Sequence, residues 1–119
     1  MPCCVSVVIL KMNLQISPAE LAEKLRSENP PRLLDVRQPD EHAFVALPNS
    51  TLIPLGELAA RVDEIENWRD EDVVVYCHHG MRSLNAIAQL KHFGFQKLQN
   101  LAGGIDRWTT DVDPKLPRY

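Results

Sequence analysis

The run Val73-Val74-Val75-Tyr76 constrains the fold more than any other segment of the chain. Three consecutive β-branched residues and an aromatic residue favour a strand, and an unbroken apolar run is typical of a parallel strand covered on both faces. Further strand-like segments at residues 32–36, 51–53 and 97–101 are separated by segments with helical patterns. This alternation predicts an α/β fold with a mostly parallel sheet.

Helix signals lie between these strands. Ser17-Pro18 with Glu20 is typical of a capped helix start, and we expect that helix to run to about residue 28, before Pro30-Pro31. Other patterns predict helical segments at residues 39–44, 55–65 and 82–93, with Gly94 ending the last of them, and a short helix after Gly103-Gly104.

The length of 119 residues is that of one domain, which we assign to residues 14–119, with residues 1–13 as an N-terminal extension or edge strand. The formal net charge of −3 gives no reason to expect nucleic acid as a partner. The apolar stretch at residues 5–10 is too short to cross a bilayer and no basic residue precedes it. We therefore favour a strand or extension over a targeting signal, and expect no membrane partner.

The three cysteines, Cys3, Cys4 and Cys77, form no recognisable disulfide framework, because adjacent cysteines bridge only with strain. Free thiols fit a reducing compartment, so we expect a cytoplasmic protein. The four histidines do not supply a zinc-ligand spacing together with the one internal thiol, and we expect no metal site.

Cys77 is the residue with the clearest chemical signal. It follows a predicted central strand and precedes a predicted helix, at the edge of the sheet where such folds build their sites. Gly80 allows the connecting loop to curl, so that backbone N–H groups and the helix N-terminus can stabilise an anion. A thiol in this position is expected to be acidic and reactive. The alternative is that Cys77 is a small buried hydrophobic residue, as many free cysteines are.

The residues that follow Cys77 each have two interpretations. His78 and His79 either supply positive charge or hydrogen bonds to an anion, or are exposed and without a chemical role. Arg82 either orients an oxyanion or pins the loop to a carboxylate, and we favour a mixture with the structural part larger. Ser83 either caps the helix, which we favour, or donates to an anion in the loop.

The loop Cys77-His78-His79-Gly80-Met81-Arg82-Ser83 resembles the active-site loop of rhodanese-like sulfurtransferases, which is of Cys-x-x-Gly-x-Arg-Ser type. Leu33-Leu34-Asp35-Val36-Arg37 with Glu41 is similar to the N-terminal signature of that family, and the Gly103-Gly104 segment with Trp108 to its C-terminal signature. The last seven residues, 113–119, look like the end of rhodanese domains fused to enzymes that adenylate ubiquitin-like sulfur carriers.

The resemblance implies a rhodanese-like α/β fold, with a five-stranded sheet flanked by helices on both faces. It implies that Cys77 is the catalytic nucleophile and carries sulfur as a persulfide, without a metal or organic cofactor. The residues that would bind the substrate are those of the loop, His78, His79, Gly80, Met81, Arg82 and Ser83. We expect Asp35, Arg37 and Glu41 to form a supporting ion-pair cluster.

The implied donor is a small sulfur anion such as thiosulfate, or a protein persulfide such as that of a cysteine desulfurase. The implied acceptor is cyanide, a thiol or a ubiquitin-like sulfur-carrier protein. Two other functions compete: a non-catalytic interaction module, and a cysteine phosphatase, whose cradle is one residue longer between cysteine and arginine. The chain also departs from the family at residues 45–50, where Asn49 replaces a glycine. Asparagine tolerates positive φ, so we expect the turn to persist.

Overall fold

The computed structural model describes residues 14–119, which form a five-stranded sheet. The strands are β1 (Gln15–Ile16), β2 (Arg32–Asp35), β3 (Thr51–Leu52), β4 (Asp72–Tyr76) and β5 (Lys97–Leu101). Their order is β1-β5-β4-β2-β3, and all four pairings are parallel. The predicted α/β fold is confirmed. The prediction for residues 1–13 lies outside the described residues, and the edge strand beside β5 is Gln15–Ile16.

The helices are α1 (Pro18–Leu25), α2 (Pro39–Phe44), α3 (Leu58–Arg61), α4 (Met81–His92) and α5 (Gly104–Asp111). The capping box of α1 is present, since Glu20 N–H donates to Ser17 Oγ and Ser17 N–H donates to Glu20 Oε1. The prediction that this helix reaches residue 28 is wrong. Arg26 N–H bonds the carbonyls of Glu23 and Lys24, which tightens and ends the last turn.

The predicted helix over residues 55–65 is also broken. A 3₁₀ turn, Leu55–Glu57, precedes α3, and a second 3₁₀ segment, Val62–Trp68, follows it. Ile65 departs from helical geometry, with φ −119° and ψ 23°. The irregular backbone still buries Leu58, Ile65 and Trp68 on one face of the sheet, so packing decides the path here rather than helical periodicity.

Strand β4 divides the core into two layers. Val73, Val75 and Cys77 point to one layer, which α4 covers, and Val74 and Tyr76 point to the other, which α1 and α5 cover. Helices therefore lie on both faces of the sheet, as predicted. Within residues 14–119, no helix combines the length and apolarity that a bilayer-spanning helix requires.

The sheet brings three distant segments to one edge. β4 pairs with β2 on one side, where Asp35 lies opposite Tyr76, and with β5 on the other, where Asn100 lies opposite Val75. The carboxyl ends of parallel strands meet at the same edge, so Cys77 lies between the ends of β2 and β5.

Candidate active site

Cys77 is buried, yet its sulfur has polar partners. The residue is 1% exposed and packs in the core layer beneath α4. The Gly80 backbone N–H donates a hydrogen bond to Sγ at 3.1 Å, and Ser83 Oγ lies 3.4 Å from the same sulfur. The thiol therefore lies at the boundary between hydrocarbon and a polar loop, so it differs from a cysteine that merely fills the core.

The loop after Cys77 reaches this geometry through Gly80. Gly80 occupies the N-cap of α4 with φ +104°, a conformation that side-chain-bearing residues rarely adopt, and this φ is what favours glycine here. Because α4 begins at the next residue, the partial positive charge of its N-terminus lies beside Sγ. Both features favour negative charge on this sulfur or on an atom attached to it.

The start of α5 holds the same loop from the other side. Ile105 N–H donates to the Cys77 carbonyl at 2.9 Å, and Asp106 N–H donates to the His78 carbonyl at 3.1 Å. A Cβ on Gly104 would lie 2.3 Å from His78 O and 2.5 Å from Cys77 O, far inside contact distance. Glycine is required because two backbone segments touch here.

Arg82 forms a two-pronged ion pair with Glu41. Its Nη1 and Nη2 donate to the two carboxylate oxygens at 2.7 and 2.9 Å. Arg82 lowers the pKa of Glu41 to about 2, helped by N–H of Gln38 and the hydroxyl of Tyr119 and opposed by burial. The same pair raises the pKa of Arg82. Arg82 thus pins the loop to α2, which is the structural half of the role predicted for it.

Asp35 and Arg37 form a second pair, fully buried, at the end of β2. Arg37 Nε and Nη2 donate to the Asp35 carboxylate at 2.9 and 2.7 Å, and Nη2 also donates to the Val45 carbonyl at 2.6 Å. His42 Nδ1 lies 2.8 Å from Asp35 Oδ2. Burial works against the charge of Arg37, but its bonds to Asp35 raise its pKa above the ordinary value.

Tyr119 joins the two pairs. Arg37 Nη1 donates to its hydroxyl at 2.9 Å, and the hydroxyl donates to Glu41 Oε2 at 2.7 Å. Burial, together with the Glu41 carboxylate, raises the pKa of Tyr119 to about 12, so the phenol keeps its proton. The predicted cluster of Asp35, Arg37 and Glu41 is therefore brought together, but through Tyr119, whose bridging role was not predicted from the sequence.

The two loop histidines have different environments. His78 stacks on Tyr119 with ring centroids 3.9 Å apart and planes 10° apart. Burial, and then the neighbouring His79, lower the pKa of His78, so its ring is mainly neutral at pH 7. His79 is largely exposed, with Nδ1 4.0 Å from Asp106 Oδ2. Met81 is 76% exposed.

Ser83 does not cap α4, so that prediction is wrong: Gly80 occupies the cap and Ser83 lies in the first turn. Its hydroxyl instead donates to Asn100 Oδ1 beneath the loop. Asn100 was not among the predicted site residues, yet it is 2% exposed and also donates from Nδ2 to Gly80 O at 3.4 Å. An asparagine inside an otherwise strand-like segment was the available signal, because asparagine is depleted in strands.

Metal ligands do not gather near this site. Across residues 14–119, no group of three or more His, Cys, Asp and Glu side chains is arranged to hold a metal ion. The polar groups around Cys77 are hydrogen-bond donors and paired charges, a setting that suits a reactive thiol and a bound anion.

Relatives with known names resemble most of the chain. A "sulfurtransferase" of Allochromatium vinosum is 35% identical over 94 residues, covering 79% of this chain and 86% of that protein. The "putative sulfurtransferase YtwF" of Bacillus subtilis is 33% identical, covering 85% of this chain and 95% of that protein. The "adenylyltransferase and sulfurtransferase uba4" of Ogataea parapolymorpha is 33% identical over 82% of this chain, which spans only 25% of that protein.

Solved structures show the same architecture. A rhodanese-related protein from Thermoplasma volcanium is 34% identical with a TM-score of 0.73, covering 82% of this chain and 92% of that one. The human single-domain sulfurtransferase TSTD1 is 25% identical, also with a TM-score of 0.73, covering 82% of this chain and 96% of that one. The family model described as "Rhodanese-like domain" matches residues 17–111. The chain belongs to the rhodanese-like domain family.

Proposed function

We propose that this protein moves sulfane sulfur from an anionic donor to a thiophilic acceptor, and that Cys77 carries the sulfur as a persulfide. Its membership of the rhodanese-like family, and relatives that are named sulfurtransferases over nearly their whole length, support transferase activity. Beyond membership of the family, we propose the identities of the sulfur donor, the sulfur acceptor and the residue that carries the sulfur.

The hydrogen bond from Gly80 N–H to Cys77 Sγ carries the proposal. It is 3.1 Å long, it lies at the N-terminus of α4, and it is aimed at the sulfur that would hold the transferred atom. A backbone donor fixed by the fold stabilises developing negative charge without reorganising, as an oxyanion hole does in acyl transfer.

In the first half-reaction, the Cys77 thiolate attacks the outer sulfur of a donor such as thiosulfate. A new S–S bond forms from a lone pair of Sγ. The S–S bond inside thiosulfate breaks, and its electron pair leaves with sulfite. The enzyme now holds a persulfide whose charge is on the outer sulfur, close to the loop and the N-terminus of α4.

In the second half-reaction, a nucleophile attacks that outer sulfur. Cyanide would leave as thiocyanate and a thiol as a new persulfide. The electron pair of the broken S–S bond returns to Sγ and regenerates the thiolate. Relatives described as adenylyltransferase and sulfurtransferase combine sulfur transfer with a second activity in one protein. Together with the resemblance of residues 113–119 to rhodanese domains of that kind, this supports a ubiquitin-like sulfur-carrier protein as a further acceptor, and we keep a cysteine desulfurase as an alternative donor. No metal or organic cofactor enters either step.

Intact-mass spectrometry after incubation with thiosulfate tests the proposal. Wild-type protein is expected to gain the mass of one sulfur atom, and to release it on addition of cyanide with formation of thiocyanate. Cys77→Ala should gain nothing. A variant with Cys3→Ser and Cys4→Ser, which retains Cys77, is the matched control and should load like the wild type.

The outcomes separate the alternatives. Loading of Cys77→Ala would overturn the assignment of the carrier residue. Loading by a protein persulfide but not by thiosulfate would keep Cys77 as the carrier and replace the donor. Failure to load from any donor would favour the interaction-module function.

A further inference from the structure

Cys77 lies at one end of a chain of hydrogen bonds that is buried as far as Asn100 and ends at the exposed Gln15 of β1. Asn100 Nδ2 donates to Gln15 Oε1 at 3.0 Å and to Gly80 O at 3.4 Å. Asn100 Oδ1 contacts Ser83 Oγ, which in turn lies 3.4 Å from Cys77 Sγ. Ser83 is fully buried and Asn100 is 2% exposed, so both side chains lie away from bulk solvent.

The direction of the chain follows from the Gly80 carbonyl. A carbonyl only accepts, so the amide end of Asn100 that faces Gly80 O must be the NH₂ group. The other end, which faces Ser83, is then the carbonyl oxygen and has no proton to give. The single proton of the Ser83 hydroxyl therefore lies between Ser83 and Asn100.

We propose that Asn100 is a positioning residue that turns the Ser83 hydroxyl so that a lone pair, and not the proton, faces Cys77 Sγ. The Cys77–Ser83 contact is then a hydrogen bond only while Cys77 is a neutral thiol that donates its own proton. A bare thiolate would face a lone pair. To meet it, the hydroxyl must rotate and leave Asn100 Oδ1 buried without a partner, which is costly.

The effect of this arrangement on sulfur transfer rests on the proposed function. In a persulfide the charge moves to the outer sulfur, about 2 Å from Sγ along the new bond. The inner sulfur is then uncharged and compatible with a lone pair. The Asn100–Ser83 pair thus disfavours the unloaded thiolate relative to the loaded persulfide, while Gly80 N–H and the N-terminus of α4 stabilise negative charge in both.

Other charged or titratable groups also surround the loop. They come from α2, α4, α5, the loop itself and the C-terminal segment: Glu41, Arg82, Asp106, His78, His79 and Tyr119. The variants below leave all of them in place. Differences between variants therefore report on the hydroxyl and its partner.

The test is the pH dependence of alkylation of Cys77 by iodoacetamide, followed by peptide mass spectrometry. In Asn100→Ala the Ser83 hydroxyl is free to donate to the Cys77 thiolate, so the midpoint of the alkylation–pH curve should move to lower pH. At a pH below the wild-type midpoint, the variant should then be alkylated about tenfold faster than the wild type. In Ser83→Ala the midpoint should stay or fall. In the double variant the effect of Asn100→Ala should disappear, because it acts through Ser83.

Thr109→Val is the matched control, since it removes a buried hydroxyl that donates to Ile105 O, away from the Cys77–Ser83–Asn100 chain, and it should leave the midpoint unchanged. A midpoint that rises in Ser83→Ala would show that the hydroxyl donates to the sulfur, and would overturn the inference even if Asn100→Ala fails to fold. An unchanged midpoint in folded Asn100→Ala would also overturn it. Alkylation of Cys77 requires no sulfur transfer. The alkylation test can therefore contradict the role of Asn100 without contradicting the proposed function, and the persulfide-loading test can contradict the proposed function without contradicting the role of Asn100.

Discussion

Replacing Gly104 by alanine should damage both the fold and the Cys77 loop. Gly104 has φ +65°, and an added Cβ would lie 2.3 Å from His78 O and 2.5 Å from Cys77 O. All of these contacts are with backbone, so no side chain can swing away. The loop and α5 would have to separate by about 1 Å to restore an ordinary contact.

Two terms set the size of the effect. A left-handed conformation costs a residue with a Cβ about 1–2 kcal/mol, and forced overpacking costs about 1–3 kcal/mol, so Gly104→Ala should lose about 2–5 kcal/mol of unfolding free energy. A displacement of about 1 Å at a reacting group can slow chemistry by about a hundredfold. We therefore expect persulfide loading to slow by about that factor in protein that remains folded.

Two other glycines are matched controls. Gly94 has φ +93° with nothing within 4 Å of an added Cβ, so Gly94→Ala isolates the conformational cost of about 1–2 kcal/mol. Gly56 has neither constraint, and Gly56→Ala should change stability little. Urea denaturation measures all three variants. If Gly104→Ala lost no more stability than Gly94→Ala and loaded at the wild-type rate, the argument from backbone contact would be refuted.

Three further predictions concern the ion pairs. Asp35→Ala should cost about 3–5 kcal/mol in urea denaturation, because it leaves the buried guanidinium of Arg37 without its partner; a loss below about 1 kcal/mol would contradict this. Tyr119→Phe keeps the ring but removes the hydroxyl that bridges Arg37 and Glu41, and it should cost about 1 kcal/mol of unfolding free energy in the same assay. An unchanged urea midpoint would mean that the bridge adds no stability. The pKa of Glu41 is lowered from its ordinary value of 4.5 to about 2 in the folded protein. The stabilisation by Arg82 should therefore be complete above about pH 4.5 and lost as the pH falls through 2. The difference in unfolding free energy between the wild type and Glu41→Gln, measured across this range, should shrink only in acid.

The sequence predicted what depends on local pattern. The strand over Val73–Tyr76, the capping box at Ser17 and the helix–glycine boundary at Gly94 were each readable from neighbouring residues. The turn at Asn49 was predicted in the same way, and its φ of 62° confirms that asparagine adopts the left-handed conformation there. These features depend on a few adjacent side chains, so tertiary context did not override them.

What the sequence could not predict depends on contacts across the fold. The helical spacing after Leu55 indicated which residues are buried but not that the backbone breaks at Ile65, because burial against the sheet sets its path. The bridging role of Tyr119 could not be predicted either, because it comes from reaching Arg37 and Glu41, which lie about 80 positions earlier in the chain.

The three sequence motifs contact one another in the folded protein. Glu41, from the first motif, clamps Arg82 of the loop, and the backbone after Gly104, from the third, bonds the carbonyls of Cys77 and His78. The loop is thus held by α2 on one side and by α5 on the other, while Gly80 N–H is aimed at the sulfur. A Cys-x-x-Gly-x-Arg-Ser loop without the other two motifs would lack these contacts and should therefore not hold the same geometry, which is why the joint occurrence of the three motifs indicates this site better than the loop alone.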